Sequence, residues 1–233
     1  MANKIENYFF LIIKRNKIIF KSFNSIRGSF LTNEVTVNND SLDNIYYFLE
    51  NFLDKKIIDI EKDLKIFIKK IYIIFESDIF FLTEFSIKHK LKKTNFNQNQ
   101  INDSLIDIKN EFVKYSPEYK IIHMSINRYI VNGIFLNNLP ENIDNDDFII
   151  KIDLICINKK IVKNFEKIFS KYQISINKIL SYNYLARFNN KNNDNIVKLA
   201  NDNINGLDLN EVYIKKKKPN NLGFFEKFFN FFN

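Results

Sequence analysis

The longest uninterrupted apolar run in this 233-residue chain, Tyr8–Ile13, is six residues long. That is far short of the roughly 20 residues a helix needs to cross a bilayer, and too short for a signal-peptide core. It suits a buried strand. A second apolar segment, Ile18–Phe23, follows the break Lys14-Arg15-Asn16-Lys17, and two such segments around a polar break predict a hairpin. A sheet therefore opens the fold. Apolar residues make up 45% of the chain, enough for one core, and only 4 glycines and 3 prolines argue against a loop-rich polymer.

Downstream the period changes. Asp40-Ser41 offers an N-cap to a helix whose Leu42, Ile45, Phe48, Leu49, Phe52 and Leu53 recur at helical spacing, with an end near Glu61. Lys65–Phe75 and Ile79–Lys88 read as strands, the second alternating Ile79, Phe81, Thr83, Phe85 and Ile87 on one face. Lys90–Gln100 reads as a polar loop. Ile101, Leu105, Ile108 and Phe112 form a helical stripe that stops before Pro117, and Lys120–Val131 and Phe148–Ile157 read as strands. A helix over Lys159–Tyr172 and a strand over Ile174–Tyr182 complete an α+β body. From Asn189 the chain turns rich in Asn and Asp, which predicts a flexible tether over 189–221 holding at most a short helix around Ile196–Ala200.

The net charge of +8 invites a nucleic-acid reading. Only Arg15, Arg27, Arg128 and Arg187 among the 35 basic residues are arginine, however, and arginine is the residue that reads phosphates and bases bidentately. Nucleic acid is therefore not the expected partner. The single cysteine, Cys156, excludes an internal disulfide and reads as a buried, inert thiol in a reducing compartment. His89 and His123 have no Cys, Asp or Glu neighbours at metal-ligand spacing, so no metal is expected, and His123 reads as a satisfied core or edge histidine. Gly28, Gly133, Gly206 and Gly223 stand singly and build no phosphate-cradling loop. Asp146-Asp147 and Asp59 with Asp63 read as solvated faces. Neither catalytic residues nor a cofactor is expected, and the chain reads as a non-enzyme.

The last dozen residues carry the clearest functional signal. At 100° per residue, Leu222, Phe224, Phe225, Phe228, Phe229, Phe231 and Phe232 occupy one half of the helical wheel. Gly223, Glu226, Lys227, Asn230 and Asn233 fill the other. A helix this short is marginal in water, so it is expected to form where its Phe face meets something apolar. Burying one Phe contributes roughly 1.5–3 kcal/mol. Lys215, Lys216, Lys217 and Lys218 just upstream add about 1 kcal/mol each near anionic headgroups. The expectation is reversible binding to an anionic membrane surface without crossing it, with docking on the protein's own core or in a partner's groove as competing readings.

Three segments, KIIHMSINRYIVNGIFLNNLP, FIIKIDLICINKKIVKNFEKIF and ISINKILSYNYLA, resemble the middle of FtsA, a family of bacterial actin-like cell-division proteins. Ile122, His123, Ile126, Tyr129, Ile130 and Gly133 fit that family's pattern, followed by Leu139-Pro140, Asn164 and Leu185-Ala186. Ser25-Ile26-Arg27-Gly28 is similar to its S-x-R-G turn, which precedes a helix. The resemblance implies an actin-like, ribonuclease H-like first lobe from 1–75 with 158–188, and a strand-helix-strand-strand subdomain inserted at 76–157. A polar tether at 189–221 and an amphipathic membrane helix at 222–233 follow. Where FtsA has its phosphate loop between the first two strands, this chain has Ile13-Lys14-Arg15-Asn16-Lys17, and after Ala186 it passes to the tether instead of the second lobe. The resemblance thus implies a degenerate scaffold on the cytoplasmic face of the bacterial inner membrane, at the division septum. It would contact other division proteins through the inserted subdomain and also self-associate, while contact with FtsZ is put in doubt because that surface lies mainly in the second lobe. The alternatives are an actin-like adaptor of a pilus or secretion system and, third, a basic nucleic-acid-binding protein.

Overall fold

The structure, a computed structural model, describes residues 7–24, 28–37, 41–90, 98–139, 147–187, 196–207 and 211–212. Strands β1 (Asn7–Lys14) and β2 (Lys17–Asn24) form the expected hairpin, with Ile13 opposite Ile18 and Lys14 opposite Lys17 around Arg15-Asn16. β3 (Gly28–Thr36) returns antiparallel to β2. Helix α1 (Leu42–Leu64) begins where the Ser41 hydroxyl accepts the Asn44 N–H at 3.2 Å, and ends on Lys65 in the left-handed region at φ 56°. β4 (Lys70–Phe75) then lies parallel to β1.

An insertion follows: β5 (Phe80–Lys90), α2 (Gln98–Tyr115), β6 (Tyr119–Val131), β7 (Ile134–Leu136) and β8 (Asp147–Asn158). Asn132 at φ 51° and Gly133 at φ 81° turn the chain between β6 and β7, the paired left-handed geometry that an Asn-Gly hairpin supplies. The chain returns through α3 (Lys159–Ser170) to β9 (Ser175–Ser181), parallel to β4, and continues into α4 (Tyr182–Ala186) and α5 (Ile196–Ile204).

The first sheet has the order β3-β2-β1-β4-β9, with β2 alone running against the rest. This is the ribonuclease H-like arrangement of an actin-like lobe, and the protein has that α+β fold. Phe9 through Ile13 are buried without a break, as are Ile71 through Phe75, because both faces of the central strands are covered. Tyr46 of α1 meets Phe165 of α3 edge-on at 5.3 Å, and Phe165 meets Phe75 of β4 at 5.7 Å. The inserted sheet, β5-β8-β6-β7, is antiparallel throughout. Ile101, Leu105 and Phe112 of α2 cover one face, over Phe148, Ile150, Ile152, Leu154 and Cys156. From Leu154 to Ile157 β8 is buried on both faces, and Ile155 and Ile157 join the main core, so the insertion is welded on at that end.

Several expectations shift. The strand expected from Lys65 begins at Lys70, since α1 runs through Leu64, and α2 begins inside the expected loop at Gln98. β3, β7 and α4 were not anticipated. Gly28 opens β3, a strand where the S-x-R-G resemblance implied a turn leading to a helix; residues 25–27 lie outside the described residues. The polar tether expected at 189–221 is corrected where the structure describes it. α5 extends to Ile204 and buries Ile196, Val197 and Ala200 in the main core, while Ser125 of β6 bridges antiparallel to Glu211. Its Asn residues do not keep it in solvent, because Asn203 accepts from Lys178 at 2.9 Å and Asn201 accepts from Asn205.

Candidate functional site

Among the described residues, one gathering of polar side chains lines a cleft and another closes a seam between elements. The first is a cleft of about 650 Å³ at the carboxyl ends of β1 and β4, lined by Lys14, Arg15, Glu76, Ser77, Asp78 and Asn183 among others. The Glu76 N–H donates to the Ile13 carbonyl at 2.9 Å, which carries the β1–β4 pairing into the cleft wall. Lys14 reaches the Tyr182 hydroxyl at 3.2 Å and Glu76 at 3.5 Å, with its ammonium 4.2 Å above the Tyr182 ring. Burial works against its charge, but the Tyr182 hydroxyl and Glu76 outweigh that and hold its pKa above the usual 10.5. The cleft lies where the resemblance places the FtsA phosphate loop. The turn there, Arg15-Asn16, is a tight hairpin connection, and the residues lining the cleft include no glycine. Glu76 and Asp78 bring negative charge to it, Lys14 is already engaged, and Arg15 adds a second cation to the lining.

The second place is the seam where β6, β9, α4 and the 211–212 segment meet. His123 is 1% exposed. The Ser181 backbone N–H donates to its Nε2 at 3.0 Å, which assigns the ring proton to Nδ1, and Nδ1 lies 3.1 Å from the Glu211 carboxylate. Tyr184 stacks on the imidazole at 4.0 Å, and Lys178 sits 3.7 Å from the other Glu211 oxygen. Burial would raise the Glu211 pKa, but the His123 N–H, Lys178 and the Tyr184 hydroxyl more than offset it, so the carboxylate sits below its ordinary 4.5. The Val212 N–H donates to the Met124 carbonyl at 2.7 Å. Every polar group of this cluster faces a partner inside the protein. It can clamp the chain, and a pocket of about 250 Å³ lined by Lys109, Met124, Lys178, Glu211 and Val212 among others opens beside it.

The residues expected to touch a membrane, Leu222, Phe224, Phe225, Phe228, Phe229, Phe231, Phe232 and Lys215 to Lys218, lie outside the described residues. The last described residue, Val212, stands three positions before Lys215 and is fixed to β6. No helix among the described residues is long and apolar enough to cross a membrane. Cys156 is buried, and burial pushes its thiol up to about 12. His89 lies 3.2 Å from the Ser104 hydroxyl, and burial lowers its pKa. Among the described residues no three His, Cys, Asp or Glu side chains gather to hold a metal. Sequence reasoning found His123 and missed Glu211, Lys178 and Tyr184. A histidine inside an apolar run signals a buried partner, but not one 88 residues away.

No family model matches the chain, and no curated protein matches it. Among solved structures it is similar to the cytoplasmic domain of EpsL, an inner-membrane component of the type II secretion system of Vibrio cholerae. The identity is 6% and the TM-score 0.37, over 77% of this chain and 59% of that one. It is also similar to a chain of a PilM-PilN type IV pilus biogenesis complex, at 5% identity and TM-score 0.41, over 76% and 48%. A third is a Bacteroides thetaiotaomicron protein with an actin-like ATPase fold and unknown function, at 15% identity and TM-score 0.34, over 77% and 53%. The chain spans about half to three-fifths of the length of these structures.

Proposed function

We propose that the protein is a non-catalytic adaptor: an actin-like lobe that holds protein partners at the cytoplasmic face of a bacterial inner membrane. The observation that carries this reading is the clamped C-terminal segment. Glu211 and Val212 are fixed to His123 and Met124 immediately before the four lysines and the Phe-rich stretch. A lipid-binding segment joined to the body in this way ties the body to the surface it binds. The non-enzymatic part of the reading rests on the sequence at the β1–β2 turn, where Arg15-Asn16 replaces a glycine-rich phosphate loop.

Between the assemblies such an adaptor would serve, a pilus or secretion system is preferred to the division septum. The residues behind the FtsA resemblance are largely core residues: Ile122, His123, Tyr129, Ile130 and Leu185 are all buried, and Gly133 is a turn glycine. They specify an actin-like lobe and not a division partner. Two structural neighbours, EpsL and a chain of the PilM-PilN complex, come from a secretion system and a pilus assembly. The division reading is kept alive by the combination of that motif order with a terminal amphipathic segment. A fluorescent fusion separates the two, as midcell enrichment would favour division and its absence the pilus or secretion class.

The adaptor reading is tested by flotation of the full chain with vesicles containing anionic lipid. Wild type is expected to float, less well as salt rises, and Phe228→Glu with Phe229→Glu to remain in solution. Unchanged flotation of the double variant would overturn the anchoring role. Binding to double-stranded DNA that survives deletion of 215–233 would instead favour the nucleic-acid reading.

A further inference from the structure

The two sheets have four edge strands, β3, β9, β5 and β7, and β5 is the longest of them at 11 residues. Its sides differ. Phe85 and Ile87 pack into the inserted core, while Leu82 on the opposite face is 53% exposed. Among the described residues β5 pairs only with β8, so its outer edge presents a row of backbone donors and acceptors, the arrangement that templates pairing with another strand.

We propose that two copies of this chain pair antiparallel through their β5 edges about a two-fold axis at Ser86. Glu84 of each copy then lies opposite Lys88 of the other. The register follows from charge. On the solvent face of one copy Lys151 bonds Glu84 at 2.9 Å and Lys88 bonds Asp147 at 2.6 Å. Glu84 also lies opposite Asp153 in the β5–β8 register, a like-charge neighbour that Lys151 offsets. Pairing about Ser86 sets the order Lys151, Glu84, Lys88, Asp147 across four strands, with alternating sign and a second cation beside each Glu84. On the covered face it sets Phe85 opposite Ile87, an aromatic with a β-branched residue. A register centred on Phe85 places Lys88 opposite Leu82 and forms no charge pair. One centred on Ile87 overlaps only positions 84–90, against 82–90 about Ser86. The contact is isologous and closes at two copies. It stands apart from the membrane reading, because it uses no residue beyond Asn158.

The test is the mass of the full-length chain in solution by sedimentation, in mild detergent, across a concentration series. Wild type is expected to reach a dimer that dissociates on dilution and weakens with salt, as a small interface with exposed ion pairs should. Glu84→Lys or Lys88→Glu alone sets like charges against each other twice per dimer and should weaken it roughly tenfold. A mixture of the two variants pairs lysine with glutamate at both contacts and should restore a heterodimer. Circular dichroism confirms that each variant is folded. A wild type that stays monomeric, single variants that dimerise like wild type, or a mixture that stays monomeric would each overturn the proposal. Loss of flotation without loss of the dimer would strike only the adaptor reading.

Discussion

The two sheets solve the same problem with different chemistry. In the first, β1 and β4 are buried on both faces, and nearly every position is Ile, Leu, Phe or Tyr. In the second, β8 alternates over most of its length, with α2 over one face and ion pairs such as Lys151–Glu84 on the other. A sheet enclosed on both faces is committed to the fold. One that keeps a wet face and a long open edge retains surface for contacts outside the chain.

Substitutions should expose that contrast. Phe75→Ala removes a ring that meets both Phe80 and Phe165, and a cost of about 3–5 kcal/mol in urea denaturation is expected, with the whole molecule affected. Leu105→Ala in α2 empties part of a smaller cluster and should cost about 2–3 kcal/mol. The sharper measure for Leu105→Ala is amide exchange, where β5 and the Asp147–Asp153 half of β8 should open faster while β1 and β4 keep wild-type rates. Equal acceleration in both sheets would show that the insertion has no stability of its own and would break the comparison.

The seam between the sheets supplies the smallest and most selective effect. Glu211→Ala leaves the His123 Nδ1–H buried without its acceptor, at a cost of about 1–3 kcal/mol. The Glu211 pKa is lowered by folding, so its contribution is present above the ordinary value of 4.5 and is lost as pH falls below that through the lowered one. Glu211→Gln should therefore lose less stability than wild type between pH 7 and pH 3. Parallel pH curves for the two proteins would remove the carboxylate from the account.

The elements read correctly from sequence are those whose burial pattern is locally complete. β1 and β2 show as runs, the α1 stripe shows with its Ser41 cap, and α2 shows as Ile101, Leu105 and Phe112 at helical spacing. β3 was illegible because GSFLTNEVT mixes polar and apolar residues, as an edge strand does, and β7 because three residues carry no period. The region beyond 189 misled for a different reason. Composition records how many Asn residues are present but not that Asn203 is buried against Lys178, nor that Glu211 faces His123. The Phe-rich face is a pattern in twelve consecutive residues and lies outside the described ones, whereas the histidine clamp is assembled from positions 123, 178, 181, 184 and 211 and exists only after folding.

The clamp also fixes a length. Ten positions separate Val212 from Leu222, so while Glu211 is held the Phe-rich segment can begin no farther than about 35 Å from β6. Were the clamp to open, the nearest fixed point would retreat to Ile204, eighteen positions from Leu222, and the ceiling would rise to about 60 Å. On the proposed anchoring, one histidine–carboxylate contact would act as a stop on a leash, confining the body to a thin shell and raising its effective concentration against anything else held at the same surface.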